Sequence, residues 1–100
     1  MKHYLLFYEV VEDYATRRMP WRAQHLAHAR QAQAQDTLLL GGALADPIDG
    51  AVLLFRAASP EAVVAFAQAD PYVLNGLVRR WWVREWTTVV GEGAICPVED

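Results

Sequence analysis

An α+β domain, with two helices laid on one face of a four-stranded antiparallel sheet, is the fold class this 100-residue chain predicts. Three observations lead there. Short runs dense in aromatic and β-branched residues recur along the chain and read as strands. Two stretches rich in strong helix formers, about 16–35 and 61–69, lie between them. The order that results, β-α-β-β-α-β, is that of the split βαβ unit.

The first strand is residues 3–10, His-Tyr-Leu-Leu-Phe-Tyr-Glu-Val, and Glu12-Asp13 marks the loop after it. Helix one covers about 16–35. Thr16 is a candidate N-cap, and Pro20 is tolerated only in a first turn, so the regular helix is expected to start nearer Met19. Thr37 to Leu40 is the second strand and runs into Gly41-Gly42. Asp46-Pro47-Ile48-Asp49-Gly50 holds the residues of a sharp reversal. Ala51 to Arg56 is the third strand, paired hairpin-like with the second. Ser59-Pro60-Glu61 combines a cap, a proline at the first helical position and an acid in the first turn. Helix two, 61–69, must stop at Asp70, because proline disfavours the α conformation in the residue before it. Residues 71–76 form a turn or a single helical turn. Trp81 to Val90 is the longest strand, and 91–100 is a tail. Together these elements make a ferredoxin-like β-α-β-β-α-β fold within a single domain, 1–100.

Hydrophobic residues make up 54% of the chain, and the four tryptophans, four tyrosines and three phenylalanines are a heavy load for one small core. Strand one is apolar on both sides, with Tyr4, Leu6, Tyr8 and Val10 facing one way and Leu5 and Phe7 the other. Strand three is apolar on both sides as well, and strand four puts Trp82 and Trp86 opposite Trp81, Val83 and Val89. A sheet with one wet face alternates apolar with polar residues, so both faces are expected to be covered. A homodimer packed through the open sheet face is the simplest cover.

The net charge of −3, with only the short pairs Arg17-Arg18 and Arg79-Arg80, gives no basic stripe and argues against nucleic acid as a partner. The N-terminus is charged too soon for an export or membrane-spanning segment. The single cysteine, Cys96, has no basic neighbour to activate it and fits a reducing compartment. A cytoplasmic protein without a membrane partner is expected. Gly41-Gly42 lacks a dinucleotide-loop pattern and reads as a bulge or a close backbone approach at a pocket wall, so no cofactor is expected.

The chemistry centres on Asp70. The acid sits at a fixed element boundary, and the topology brings the end of helix two beside the start of helix one, where His25 lies. If the two meet, Asp70 holds one imidazole nitrogen and the other faces a pocket as general base or acid. Ser59 is the only serine and is better used as a cap, so no nucleophile completes a triad. Asp70 also suits a second task, capping a short helix that starts at Pro71, and His25 also suits an exposed helix position. Arg22 stands one turn before His25 and is a candidate for an anionic substrate group, or for a surface ion pair. Tyr72 reaches a pocket with its hydroxyl or fills the core. His25 and His28 lie three residues apart, and a metal shared by them would need Asp70 as third ligand; no metal site is expected. His28 reads as a solvated or packing residue, His3 as a strand residue.

Five segments spread over nearly the whole chain resemble the YCII-related (YciI-like) family. They are Arg22-Ala23-Gln24-His25-Leu26, Leu38-Leu39-Leu40-Gly41-Gly42, Ala69-Asp70-Pro71-Tyr72-Val73, Asn75-Gly76-Leu77-Val78 and Val83-Arg84-Glu85-Trp86-Thr87. Gln35-Asp36 departs from the pattern, which more often has a helix-ending glycine there. The resemblance implies a ferredoxin-like fold that dimerises as an α+β barrel, and a site built on a histidine and an aspartate that map to His25 and Asp70. It also implies cofactor-independent isomerase or lyase chemistry on a small cyclic or carboxylated metabolite. A ligand-binding or sensing module and a purely structural dimer are the alternatives.

Overall fold

A computed structural model describes residues 1–98 of the chain; of the tail expected over 91–100, residues 99 and 100 lie outside the described residues. The strands are β1 (Lys2–Val10), β2 (Leu38–Ala43), β3 (Gly50–Ala57) and β4 (Val78–Trp86). They form one antiparallel sheet in the order β2-β3-β1-β4, the ferredoxin-like arrangement. The helices are α1 (Tyr14–Arg17), α2 (Arg22–Ala34), α3 (Glu61–Ala69) and α4 (Pro71–Leu74), with a 3-10 turn at Met19–Trp21.

The core lies between α3, α4 and one sheet face. Tyr4, Leu6, Tyr8 and Val10 of β1 are buried there with Leu53 and Phe55 of β3, beneath Val63, Phe66 and Ala67 of α3. Phe55 meets Phe66 edge-on at 5.0 Å. Helix α3 has its apolar positions in the right period for this face, whereas α2 has no fully buried residue. Alanines and glutamines fill α2, which rests over β2 and against α4, with Ala29 and Ala32 partly buried against the core.

Helix one differs from expectation at its start. Pro20 has no N–H to give, so the chain makes the short helix α1 and a 3-10 turn first, and regular α-helix begins at Arg22. Thr16 is no cap: its N–H bonds the carbonyl of Asp13, a residue in the left-handed region (φ 60°). The helix ends at Gln35-Asp36, and Asp36 takes the left-handed conformation (φ 60°) that a glycine fills more easily. Helix α3 spans 61–69 as expected, but its N-terminus has no side-chain cap; Ser59 instead bonds the Glu61 carboxyl and holds it below the usual carboxylate range.

Strand four also shifts, from the expected 81–90 to Val78–Trp86. Among the described residues its only sheet neighbour is β1, whose pairing runs from Val10↔Val78 to His3↔Trp86. Past that point Thr88 turns inward. Its Oγ1 lies 2.8 Å from His3 Nδ1 and accepts the Ile95 N–H at 2.9 Å, which folds the tail back. Strand two runs on through Gly41-Gly42 to Ala43, and the register shift falls just before them, between Leu38 and Leu40. The reversal into β3 is closed by Leu44 N–H to Gly50 carbonyl at 2.8 Å.

The second sheet face carries Leu5, Phe7, Val52, Leu54 and Trp82, none fully buried, with Leu40 71% and Trp86 46% exposed. Phe7 and Trp82 stack across the strands at 5.3 Å. Among the described residues no helix is long and apolar enough to cross a membrane.

Candidate active site

Asp70 sits at the corner between α3 and α4, with an extended backbone (φ −68°, ψ 124°) imposed by Pro71. Its side chain is fully buried, and three donors converge on it. The Tyr72 N–H gives to Oδ1 at 2.9 Å, the cap bond of α4. His25 Nδ1 meets the same oxygen at 2.8 Å, and the Tyr8 hydroxyl gives to Oδ2 at 2.6 Å. The two tasks open to Asp70 in the sequence are thus performed together, by one carboxylate.

An ionised carboxylate only accepts, so the His25 proton belongs on Nδ1 and the lone pair of the neutral ring on Nε2. The ring is held from a second direction by Tyr72, stacked on it at 3.8 Å and 6°. Tyr14 meets Tyr72 edge-on at 5.6 Å, and the Arg18 guanidinium rests over Tyr14, 5.1 Å from its centroid. Burial pushes the hydroxyls of Tyr8, Tyr14 and Tyr72 above the ordinary tyrosine range; for Tyr8 the Asp70 charge adds to it, and for Tyr14 and Tyr72 the Arg18 charge opposes it. All three are O–H groups, not phenolates, at neutral pH.

A cavity of about 360 Å³ opens between α2 and the sheet. Small residues on its walls leave the space: Ala29 on α2, Gly41, Gly42 and Ala43 on β2, and Ala51 on β3. At Gly41 an added Cβ would lie 3.3 Å from the Leu53 side chain, so a larger residue there would crowd the wall. Leu26, Leu38 and Leu53 make the apolar part. His25, Tyr8, Tyr14 and Tyr72 also line it, with Arg18, Arg22 and Arg30.

Of the residues singled out in the sequence, His25 and Asp70 are in contact, and Arg22 and Tyr72 line the same cavity as His25. His28 points elsewhere. Its Nε2 lies 3.0 Å from the Phe66 carbonyl and its ring stacks on Phe66 at 4.3 Å, which makes it a packing residue between α2 and α3. Among the described residues no three His, Cys, Asp or Glu side chains gather as a metal site. Tyr8, Tyr14 and Arg18 went unrecognised in the sequence. A buried phenol needs a partner for its hydroxyl, but that Tyr8 belongs to the buried row of β1 shows only in the folded sheet.

Solved structures share this fold. A 5-chloro-2-hydroxyhydroquinone dehydrochlorinase, TftG, from Burkholderia phenoliruptrix AC1100, in complex with 2,5-dihydroxybenzoquinone, superposes with a TM-score of 0.73 at 22% identity, over 86% of this chain and 94% of that one. Protein Atu4242 from Agrobacterium tumefaciens gives 0.58 at 13% identity, over 95% and 100% of the two chains. An antibiotic biosynthesis monooxygenase gives 0.55 at 11% identity, over 90% and 100%. No curated protein matches the sequence. The strands, the Asp-Pro corner and the histidine opposite it all fall within residues 1–87, the stretch that matches the family described as YCII-related domain, and the chain belongs to that family.

Proposed function

We propose that this protein is a cofactor-independent acid–base enzyme of the lyase or isomerase type, acting on a small ring compound. One observation carries the reading. His25 is fixed through Nδ1 by a buried carboxylate, stacked on Tyr72, and lines a cavity large enough for a single-ring ligand. In this reading Nε2 takes a proton from the bound ring. The electron pair released moves into the ring and expels a leaving group, or the proton returns at another position. Asp70 stabilises the imidazolium formed and keeps its tautomer. Arg22 and Tyr72 bind the substrate. The dehydrochlorination named for TftG, a structure of the same fold, is a reaction of this class.

The test uses 5-chloro-2-hydroxyhydroquinone as probe, read by chloride release, together with solvent deuterium exchange into a panel of hydroxylated ring compounds. Wild-type protein is expected to turn over at least one of them, and His25→Gln and Asp70→Asn each to lose about 100-fold or more, the usual worth of a positioned acid–base group. Equal rates in wild type and His25→Gln would end the proton-shuttle role.

We further infer that a second copy of this chain covers the open sheet face. Leu5, Phe7, Leu40, Val52, Leu54, Trp82 and Trp86 lie on that face, with Arg84 between the two tryptophans and Arg56 beyond Leu54. The Glu9–Arg80 pair, 3.4 Å apart, stands at its rim. That is the layout of an apolar interface core with a polar edge.

A further inference from the structure

Two buried donors beside His25 have no partner. Tyr72 Oη and Arg18 Nε are both closed to solvent and bond nothing among the described residues. Such groups are costly to leave unpaired, and native structures rarely keep them without a use. Both residues line the cavity, and Arg22 and Arg30 line it with them. Among the described residues no aspartate or glutamate does, and Asp70 is already taken up by three donors. A chain with a net charge of −3 thus gathers three arginines and three tyrosines around one small space. Burial keeps the Tyr72 hydroxyl protonated, so it donates. Arg18 is half-buried and lies on the Tyr14 ring, itself part of the cavity lining.

We propose that Arg18 and the Tyr72 hydroxyl, with Arg22 beside them, form an oxyanion-binding subsite, so that the substrate enters as a ring compound already carrying an ionised oxygen, a carboxylate or a phenolate. The inference rests on the acid–base reading above and deepens it. The anion would be anchored at the Arg18 end, which fixes which ring carbon lies under His25 Nε2. Arg18 and Tyr72 are then binding residues, and the charge they hold is one that the deprotonated ring can share as the reaction proceeds.

Calorimetric titration with matched probes tests this without any turnover. Benzoate is compared with benzamide, and 4-nitrophenolate with 4-nitroanisole, at a pH where the first of each pair is ionised. The anions are expected to bind about tenfold or more tighter than their neutral partners, as charge-assisted hydrogen bonds require, and to weaken with salt. Whichever pair shows the larger ratio tells carboxylate from phenolate. Arg18→Met should bring the ratio close to one, Arg18→Lys should recover part of it, and Tyr72→Phe should weaken only the anions. A ratio near one in wild type, an unchanged ratio in Arg18→Met, or no binding of either anion at millimolar concentration would overturn the subsite. His25→Gln is expected to keep the anion preference. Lost turnover in that variant, with an anion preference that ignores Arg18, would leave the acid–base reading standing and remove only this one.

Discussion

The Tyr8–Asp70 bond offers the sharpest test of how the site is held. Tyr8→Phe removes one hydroxyl and little else, since the ring stays in the buried row of β1. The lost bond is short, 2.6 Å, and its acceptor is a fully buried carboxylate oxygen. Leaving a buried charged acceptor without its donor costs about 2–3 kcal/mol, and that is the destabilisation expected at pH 7. The pH dependence identifies the cause. Burial, and then the Asp70 charge, hold the Tyr8 hydroxyl above the ordinary tyrosine range in the folded protein. The folded state therefore keeps this proton at pH values where the unfolded chain has lost it. The contribution is whole below the unfolded value near pH ~10 and is lost as pH rises above it, by roughly 1.4 kcal/mol at one unit higher. The gap between wild type and Tyr8→Phe should then narrow by about that much between pH 9 and pH 11. Tyr14 and Tyr72 shift in the same direction but are common to both proteins and cancel in the difference. Urea unfolding followed by tryptophan fluorescence, at one protein concentration and several pH values, measures the gap. A gap that stays constant to pH 11, or one below ~0.5 kcal/mol at pH 7, would refute the reasoning.

Gly50→Ala should destabilise the sheet by about 1–3 kcal/mol in the same assay, because a Cβ there would lie 2.8 Å from the Tyr8 carbonyl and push β1 and β3 apart. His28→Ala removes a ring stacked on Phe66 and a bond to its carbonyl; a loss of about 1–2 kcal/mol is expected in urea, with turnover of the ring probe unchanged. Sedimentation equilibrium should give twice the 11.2 kDa chain mass for wild type, and Leu54→Glu combined with Trp82→Glu should return the single-chain mass. A wild-type monomer at tens of micromolar would remove the dimer.

Much of the fold was legible because local signals agreed with the tertiary structure. Helix α3 stops where Pro71 demands, and β1 is bounded by charges on both sides. The signals failed where a partner, not a propensity, sets the limit. Thr87 to Val90 have every preference for a strand, but β1 has only Lys2 beyond His3, and its pairing with β4 ends at His3↔Trp86. Pro20 was visible, yet how far it would delay α2 depended on a 3-10 turn that no spacing announces. For the site, Asp70 stood out through its chain position and His25 through the topology. Tyr8, Tyr14 and Arg18 did not. Strand one is apolar in both of its alternating rows, so nothing in the sequence said which row would meet the helices and which hydroxyl would meet Asp70. The cavity itself is written in small residues, Ala29, Gly41 and Ala51, whose closeness only the sheet order reveals.

That one carboxylate both begins α4 and bonds His25 ties the proposed reactive centre to the local bend. A molecule in which the first turn of α4 has frayed loses the Tyr72 amide and the ring on which the imidazole lies, so it keeps no half-competent form of the site. Substitutions at residues 73–76 that loosen this turn will therefore mimic the loss of His25 or Asp70. Amide exchange at Tyr72 becomes a direct gauge of how often the centre is intact.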